Sequence, residues 1–183
     1  PYVKIRKNIP LPEERQPKSA WTIPGSVNLH HFNSVFVTAS RIYLIAHDHG
    51  ASELYEFDLD RNLLSRTPSG TTSHTVWHDG EALCWMDSRG KKVMRGGQVA
   101  YESKHAKEFL RGIAWDGTHY YLGVSTSARR NERNKGRGCI RVLTEQWRPV
   151  RDIELPDGCS QVYEIRALCA DARTHNGLTP PGV

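Results

Sequence analysis

Three observations in the sequence predict an all-β protein built from a repeated unit. Three stretches, beginning at Asn33, His74 and Arg111, align without gaps as an alternating strand, a tight turn and a second apolar strand. Their starts lie 41 and 37 residues apart (74 − 33 and 111 − 74), and a strand-rich unit of about 40 residues is typical of a β-propeller blade. No helical hydrophobic period of useful length is present. We therefore expect a β-propeller-like fold of about four blade units.

The predicted strands follow one another along each unit. They lie near 29–37, 41–47, 52–58 and, more weakly, 63–67 in unit one; near 73–78, 82–87, 91–95 and 98–102 in unit two; and near 109–115, 118–125, 139–143 and 149–155 in unit three. Asp-Gly pairs at 79–80 and 116–117 mark the first turns of units two and three, because Asp-Gly favours tight hairpins.

The fourth unit is incomplete in the sequence. It begins with an alternating, strand-like segment over 161–168, after which the chain becomes polar and ends in a tail over 170–183. Residues 2–6 are predicted to form a strand, and 8–26 form an irregular connection rich in proline. We expect the N-terminal strand or a second copy of the chain to complete this unit, with residues 1–183 forming one domain.

The composition limits the classes of protein to which this chain can belong. The chain has 183 residues, 38% of them hydrophobic, enough for one soluble domain with its own core. It has no run of about 18 apolar residues, so we expect no membrane partner. The four cysteines lack metal-site spacing, which favours reduced thiols in a cytoplasmic protein. The basic loop over 129–137 fits a small anionic partner better than nucleic acid.

Propeller geometry would bring polar residues from distant parts of the chain together. The first strand of each blade starts at the upper face of the ring, and the turn between the second and third strands returns there. Polar residues early in the first strands should therefore lie near turns such as 47–50 and 87–90. Because side chains alternate along a strand, His31 and Asn33 should share one face, as should His74 and Val76. The expected result is a polar mouth above an apolar floor.

The residues at this mouth favour the binding of a small anionic ligand, such as a sugar acid or a phosphorylated metabolite. Arg111 is central because a guanidinium keeps its charge and offers a planar fork to carboxylate or phosphate. Alternatively, Arg111 pairs with Glu164 within the chain, and the basic loop is a solvated insertion. The expected ligand-binding residues are His31, Asn33, His74, Arg111, Glu164, Arg166 and, closing over the ligand, Arg129 and Arg130.

Two other classes of function stay open. A metal-dependent lyase or hydrolase would hold a divalent metal ion with His31, His74 and Glu164, and Tyr163 or Arg166 would carry the proton. The turn at 47–49 is a further candidate metal site. In an assembly or interaction protein, the polar residues would only join neighbouring blades, and exposed strand edges would pair in a homo-oligomer.

Five sequence blocks resemble a group of uncharacterised bacterial propeller-like proteins. The resemblance covers about 28–168 and implies a propeller-like fold with a site at these blocks, but no particular reaction. Members of that group carry further blades upstream, so the resemblance also favours assembly with another copy. The blocks are His30-His31-x-Asn33, His74-x-x-Trp77-x-Asp79-Gly80, Phe109-Leu-Arg-Gly-Ile-Ala114, Gly123-Val-Ser125 followed by Arg129-Arg130, and Val162-Tyr-Glu-Ile-Arg166.

Overall fold

The computed structural model describes residues 31–48, 51–128, 132 and 135–167. Within these ranges, twelve strands form three four-stranded antiparallel sheets, and each sheet consists of four consecutive strands. No helix in these ranges is long and apolar enough to cross a membrane. The sheets contain β1 (His31–Val37), β2 (Ile42–Asp48), β3 (Ala51–Phe57) and β4 (Leu63–Thr71); β5 (His74–His78), β6 (Leu83–Asp87), β7 (Lys92–Arg95) and β8 (Gln98–Glu102); and β9 (Glu108–Trp115), β10 (His119–Thr126), β11 (Cys139–Thr144) and β12 (Pro149–Glu154).

The strands confirm the all-β prediction and the three predicted units. Each strand predicted between 29 and 155 has an observed counterpart, and the largest difference is β4, which continues to Thr71 instead of ending near 67. The propeller-like arrangement of the three sheets stays a prediction.

The same turn joins the first two strands of every sheet. The Asp79 N–H donates to the carbonyl of Ala82 (3.2 Å), and the Asp79 carboxylate accepts from the Ala82 N–H (2.8 Å). Asp116 makes the same pair with His119 (3.2 and 2.7 Å). The glycine after each aspartate has a positive φ, which an Asp-Gly turn requires. Thr38 takes this place in sheet one, where its hydroxyl accepts two backbone N–H groups.

One apolar core joins the three sheets. Ile45, Trp77, Met86, Leu110 and Leu122 are fully buried and belong to one cluster, and each such side chain contributes about 1.5–3 kcal/mol by leaving water. A smaller cluster covers the other face of sheet one. The first strands lie together, with β1 against β5 and β5 against β9. This packing places the beginnings of the three first strands side by side.

A buried arginine links sheets two and three. Arg141 in β11 donates to the hydroxyl of Tyr101 in β8 (2.8 Å) and to the carboxylates of Glu108 (3.0 Å) and Asp152 (2.7 Å). The Arg141 side chain is only 9% exposed. A charge buried this deeply requires such pairing, because isolated burial in a protein interior is strongly unfavourable.

The strand predicted over 161–168 is wrong for the residues that the structure describes, since 161–167 form no ladder. A single hydroxyl replaces the ladder: Ser125 Oγ accepts from the Val162 N–H (2.8 Å) and donates to the Val162 carbonyl (3.2 Å). Both backbone groups of Val162 are thereby satisfied without a partner strand. The predicted strand at 2–6, the connection at 8–26 and the tail at 170–183 lie outside the described residues.

The three cysteines within the described ranges are free thiols. Cys84 and Cys139 are buried and Cys159 is exposed. Burial raises the pKa of Cys139 to about 12, so this thiol stays protonated and acts as a small apolar core residue. Cys169 lies outside the described residues.

Candidate functional site

Three imidazole rings lie together where β1, β2 and β5 meet. His31 and His47 are partners across the β1–β2 ladder, and their rings stack with centroids 4.7 Å apart. The His47 ring lies 6.0 Å from the ring of His74, which in turn meets Phe109 edge-on at 5.5 Å. We call His31, His47 and His74, with Asn33, the histidine cluster. Its existence confirms the predicted proximity of early first-strand residues to the end of a second strand.

Each first strand carries a β-bulge at this point. The extra residue is Asn33 in β1 and Thr75 in β5, and in β9 it lies at Arg111–Gly112. A bulge adds one residue to a strand and redirects the neighbouring side chains. The bulge therefore interrupts the strict alternation from which His31 and Asn33 were predicted to share one face, yet both side chains contact the His47 ring.

Asn33 fixes the tautomer of His47. Its Nδ2 donates to the Ser73 carbonyl (2.8 Å) and lies 2.7 Å from Nδ1 of His47. A carbonyl only accepts, so the amide nitrogen must face Ser73, and its second hydrogen then points to the histidine. Burial and the neighbouring His31 lower the pKa of His47. The neutral His47 ring therefore carries its hydrogen on Nε2, which makes that atom a donor.

His74 has the opposite tautomer. Its Nδ1 lies 2.8 Å from the Thr72 carbonyl and 3.0 Å from Ser88 Oγ. Because the carbonyl only accepts, Nδ1 carries the hydrogen, and Nε2 of the neutral ring keeps a lone pair. Burial, and then the charge of Arg111, lower the pKa of His74 to about 3. At neutral pH this ring is uncharged and offers an acceptor at Nε2.

Arg111 supplies a permanent positive charge beside these neutral rings. Its guanidinium lies over the ring of Tyr163, with Cζ 4.4 Å from the ring centroid. Stacking uses the face of a guanidinium, whereas its N–H groups lie in the plane, the geometry that binds carboxylate or phosphate. Together with Arg111 and Tyr163, the histidine cluster therefore combines one fixed cation, an aromatic support and hydrogen-bonding groups of known polarity.

Two glycines allow residues 162–164 to reach this position. A Cβ at Gly112 would lie 3.0 Å from Glu164 Cα, and one at Gly123 would lie 2.5 Å from Val162 Cγ1. Gly112 also has φ +79°, a conformation that other residues rarely adopt. Because these glycines have no Cβ, residues 162–164 can pack closely against β9 and β10, and Tyr163 lies against Arg111.

The structure does not bring every predicted residue to the cluster. Arg166 pairs with the Glu164 carboxylate (2.9 Å), and both side chains are more than half exposed. An exposed pair of this kind contributes about 0–1 kcal/mol. The contacts of Arg166 therefore give no support to its predicted role beside Arg111. Arg129 and Arg130 lie outside the described residues.

The predicted metal site is not assembled. In the part of the chain that the structure describes, no three His, Cys, Asp or Glu side chains are grouped to hold a metal ion. Glu164 is ion-paired with Arg166, and Nδ1 of His74 is hydrogen-bonded to a carbonyl. In the turn at 47–49, Nδ1 of His47 is taken by Asn33, and residue 49 lies outside the described ranges.

Sequence reasoning underestimated His47 and did not single out Phe109 or Ser88 as site residues. A signal for His47 was present, because a residue at the end of a second strand faces the start of the first strand in an antiparallel hairpin. The bulges gave no comparable sequence signal, because their residues cannot be distinguished from ordinary strand residues in a single sequence.

A surface groove of about 420 Å³ lies between β4 and strands β6 to β8. The buried hydroxyl of Ser69 in its lining has no hydrogen-bond partner, but the carboxylate and the indole in the lining already have structural partners. The Asp87 carboxylate accepts the N–H groups of Thr71 and Gly90, and the Trp85 indole N–H donates to the Ser69 carbonyl. No residue of the histidine cluster lines this groove. The cluster is therefore the better candidate for a functional site.

Comparison with known protein families and with curated proteins gives no match to this chain. The resemblance to bacterial propeller-like proteins stays a prediction based on the sequence blocks. The histidine cluster is thus assigned as the candidate site from its own geometry and charge.

Proposed function

We propose that this protein binds a small organic anion at the histidine cluster, beside Arg111. The observation that carries the proposal is the permanent charge of Arg111 near the imidazole rings of His47 and His74, whose pKa values are lowered by burial. Two observations support the proximity of this charge to the cluster: Arg111 lies two residues after Phe109 in β9, whose ring contacts His74, and its charge contributes to the lowered pKa of His74. A cation flanked by neutral hydrogen-bonding rings attracts an anion and orients it.

Each residue of the site has a distinct part in this proposal. Arg111 holds the carboxylate or phosphate through its in-plane N–H groups, and the Tyr163 ring supports the guanidinium plane. His47 donates from Nε2, and His31 stacks on it. Asn33 acts through His47, because both hydrogens of its amide are already used.

The arrangement of the sheets supports a propeller-like frame for the site. In a propeller the first strands of the blades line the centre, and here β1 lies against β5 and β5 against β9. Equivalent hydroxyls link these strands: Ser34 Oγ accepts from the Val76 N–H (2.9 Å), and Thr75 Oγ1 accepts from the Gly112 N–H (3.4 Å). Ser34 and Thr75 occupy the same place in the aligned stretches.

A second candidate function, assembly with another copy of the chain, is favoured by one observation. Strand β1 exposes Phe32, Val35 and Val37 at 49%, 54% and 42%. The first strands of sheets two and three each pack against the first strand of the sheet before them, and this apolar side of β1 is where such a neighbour would lie. A second copy would continue the same packing. This candidate uses other residues than the anion site and is compatible with it.

Isothermal titration calorimetry with gluconate, glucuronate, citrate and glucose 6-phosphate at pH 7 and low salt tests the anion proposal. We expect at least one of these anions to bind the wild type. Arg111→Ala should weaken that binding by tenfold or more because it removes the cation, and His74→Ala should do so because it removes the ring that packs against His47 and Phe109 at the site. Arg41→Ala is the matched control, because Arg41 lies at the opposite end of the β1–β2 hairpin and pairs with Glu56.

The control should bind as tightly as the wild type. The proposal fails if none of the four anions binds the wild type, or if the Arg111 and His74 variants both bind them as the wild type does.

A further inference from the structure

We infer that the anion recognised by the histidine cluster carries a hydroxyl group, so that the ligand is a hydroxy carboxylic acid of the sugar-acid class. This inference rests on the proposed function and narrows it. It follows from the hydrogen-bonding polarity of two neighbouring rings, His47 in β2 and His74 in β5.

The two rings are fixed in opposite tautomers by their neighbours. The amide of Asn33 is oriented by the Ser73 carbonyl, so its second hydrogen points at His47 Nδ1 and leaves the donor on His47 Nε2. The Thr72 carbonyl takes the hydrogen of His74 Nδ1, which leaves an acceptor on His74 Nε2. The ring centroids are 6.0 Å apart, so one small ligand can meet both rings.

A plain carboxylate or phosphate does not match this pair. Its oxygens accept hydrogen bonds, so they suit Arg111 and the Nε2–H of His47, but they face a lone pair at His74. Protonating His74 to relieve this conflict is unfavourable near neutral pH, because burial and Arg111 oppose the charged ring. The ligand must therefore bring a hydrogen of its own to His74.

A hydroxyl group is the simplest group that fits both rings. It donates one hydrogen bond to His74 Nε2 and accepts another from His47 Nε2–H, while the carboxylate of the same molecule lies at Arg111. A site built to bond a hydroxyl strongly rejects an analogue that lacks it, because buried polar groups are then left unpaired. Selectivity for the hydroxyl is therefore the signature of this site.

The test compares gluconate with hexanoate, which has the same carbon number and carboxylate but no hydroxyl groups, by titration calorimetry at pH 7. We expect hexanoate to bind the wild type at least tenfold more weakly than gluconate. In His74→Phe, which removes the acceptor, the ratio should fall to about threefold or less. Arg111→Ala should weaken both ligands, because both carry the carboxylate.

The outcomes separate the two proposals. Equal binding of gluconate and hexanoate to the wild type overturns the hydroxyl inference and leaves anion binding intact. Failure of hexanoate and of all four anions, gluconate, glucuronate, citrate and glucose 6-phosphate, to bind at all overturns both.

A second measurement does not depend on the folding of a variant. Long-range ¹H–¹⁵N spectra of the wild-type imidazoles at pH 7 should show the hydrogen on Nε2 of His47 and on Nδ1 of His74. Gluconate should shift the His74 Nε2 resonance. The reverse tautomer at His74, or a His74 resonance that saturating gluconate leaves unmoved, would overturn the inference.

Discussion

At the scale of single residues, His74 shows how burial converts a titratable side chain into a fixed acceptor. The ring is 6% exposed, and its pKa falls to about 3 from an ordinary value of 6.5. The folded protein therefore binds fewer protons at this ring than the unfolded chain does between pH 6.5 and pH 3. By linkage, His74 makes the protein lose stability as pH falls through this range.

We expect the free energy of unfolding of the wild type to fall more steeply between pH 6.5 and pH 4 than that of His74→Asn. The difference should reach about 3 kcal/mol at pH 4, because each unit of pKa shift corresponds to about 1.4 kcal/mol. Urea denaturation at several pH values measures it. The carboxylates whose pKa is lowered, such as Asp79 and Asp152, should change the free energy of unfolding equally in both proteins. Their contributions therefore cancel in the difference between the two curves. Parallel curves for the two proteins would contradict the assignment.

Single residues also show why only part of the site could be predicted from the sequence. Asn33, His74 and Arg111 could be found because they begin aligned stretches, which place equivalent residues in equivalent positions, and His31 because it lies two residues before Asn33 in the same predicted strand. The place of Arg166 could not be predicted, since pairing with Glu164 two residues away depends on a segment that is not a strand.

At the scale of elements, the segment at 160–164 depends on glycines in the neighbouring strands. Gly112 combines a positive φ with the close approach of the Glu164 backbone, whereas Gly117 has a positive φ and open space around its Cβ position. Substitutions at the two glycines can therefore distinguish the effect of backbone strain, which both share, from the effect of steric contact, which only Gly112 has. Packing at Gly112 is what fixes the position of Tyr163 over Arg111.

We expect Gly112→Ala to destabilise the protein more than Gly117→Ala. Both substitutions strain a left-handed backbone, at a cost of about 1 kcal/mol, but only the first also pushes against Glu164. The extra cost should be about 1–2 kcal/mol, measured as the difference in free energy of unfolding in urea. Gly112→Ala should also increase hydrogen exchange at residues 162–164, which Gly117→Ala should leave unchanged. Equal losses for the two variants would show that the close approach is unimportant.

The strands themselves were the most predictable elements. Apolar alternation and Asp-Gly turns are local signals, and they repeat in each unit, so errors in one unit are corrected by the others. Bulges and the segment at 161–167 were missed because both depend on what lies beside the strand. The hydroxyl of Ser125 satisfies both backbone groups of Val162 in place of a neighbouring strand, and no local sequence pattern predicts this contact.

At the scale of the whole molecule, the exposed apolar side of β1 predicts association between copies. We expect sedimentation velocity of the wild type to show a concentration-dependent oligomer. Val35→Glu should shift this equilibrium towards the monomer, because a charge in an apolar contact is unfavourable. The matched control is Val99→Glu, since Val99 is comparably exposed but lies in sheet two, away from β1. A wild-type protein that is monomeric at all concentrations would exclude the assembly function.

The bulges also affect how such a fold can diversify. In a regular strand every side chain belongs either to the core face or to the solvent face, so a change of residue alters packing. At Asn33, Thr75 and Arg111–Gly112 the extra residue is released from that alternation. Selection can therefore change the amide, hydroxyl or guanidinium at these points while the core clusters stay constant. One sheet design could in this way serve chemically different ligands through a few substitutions at its bulges.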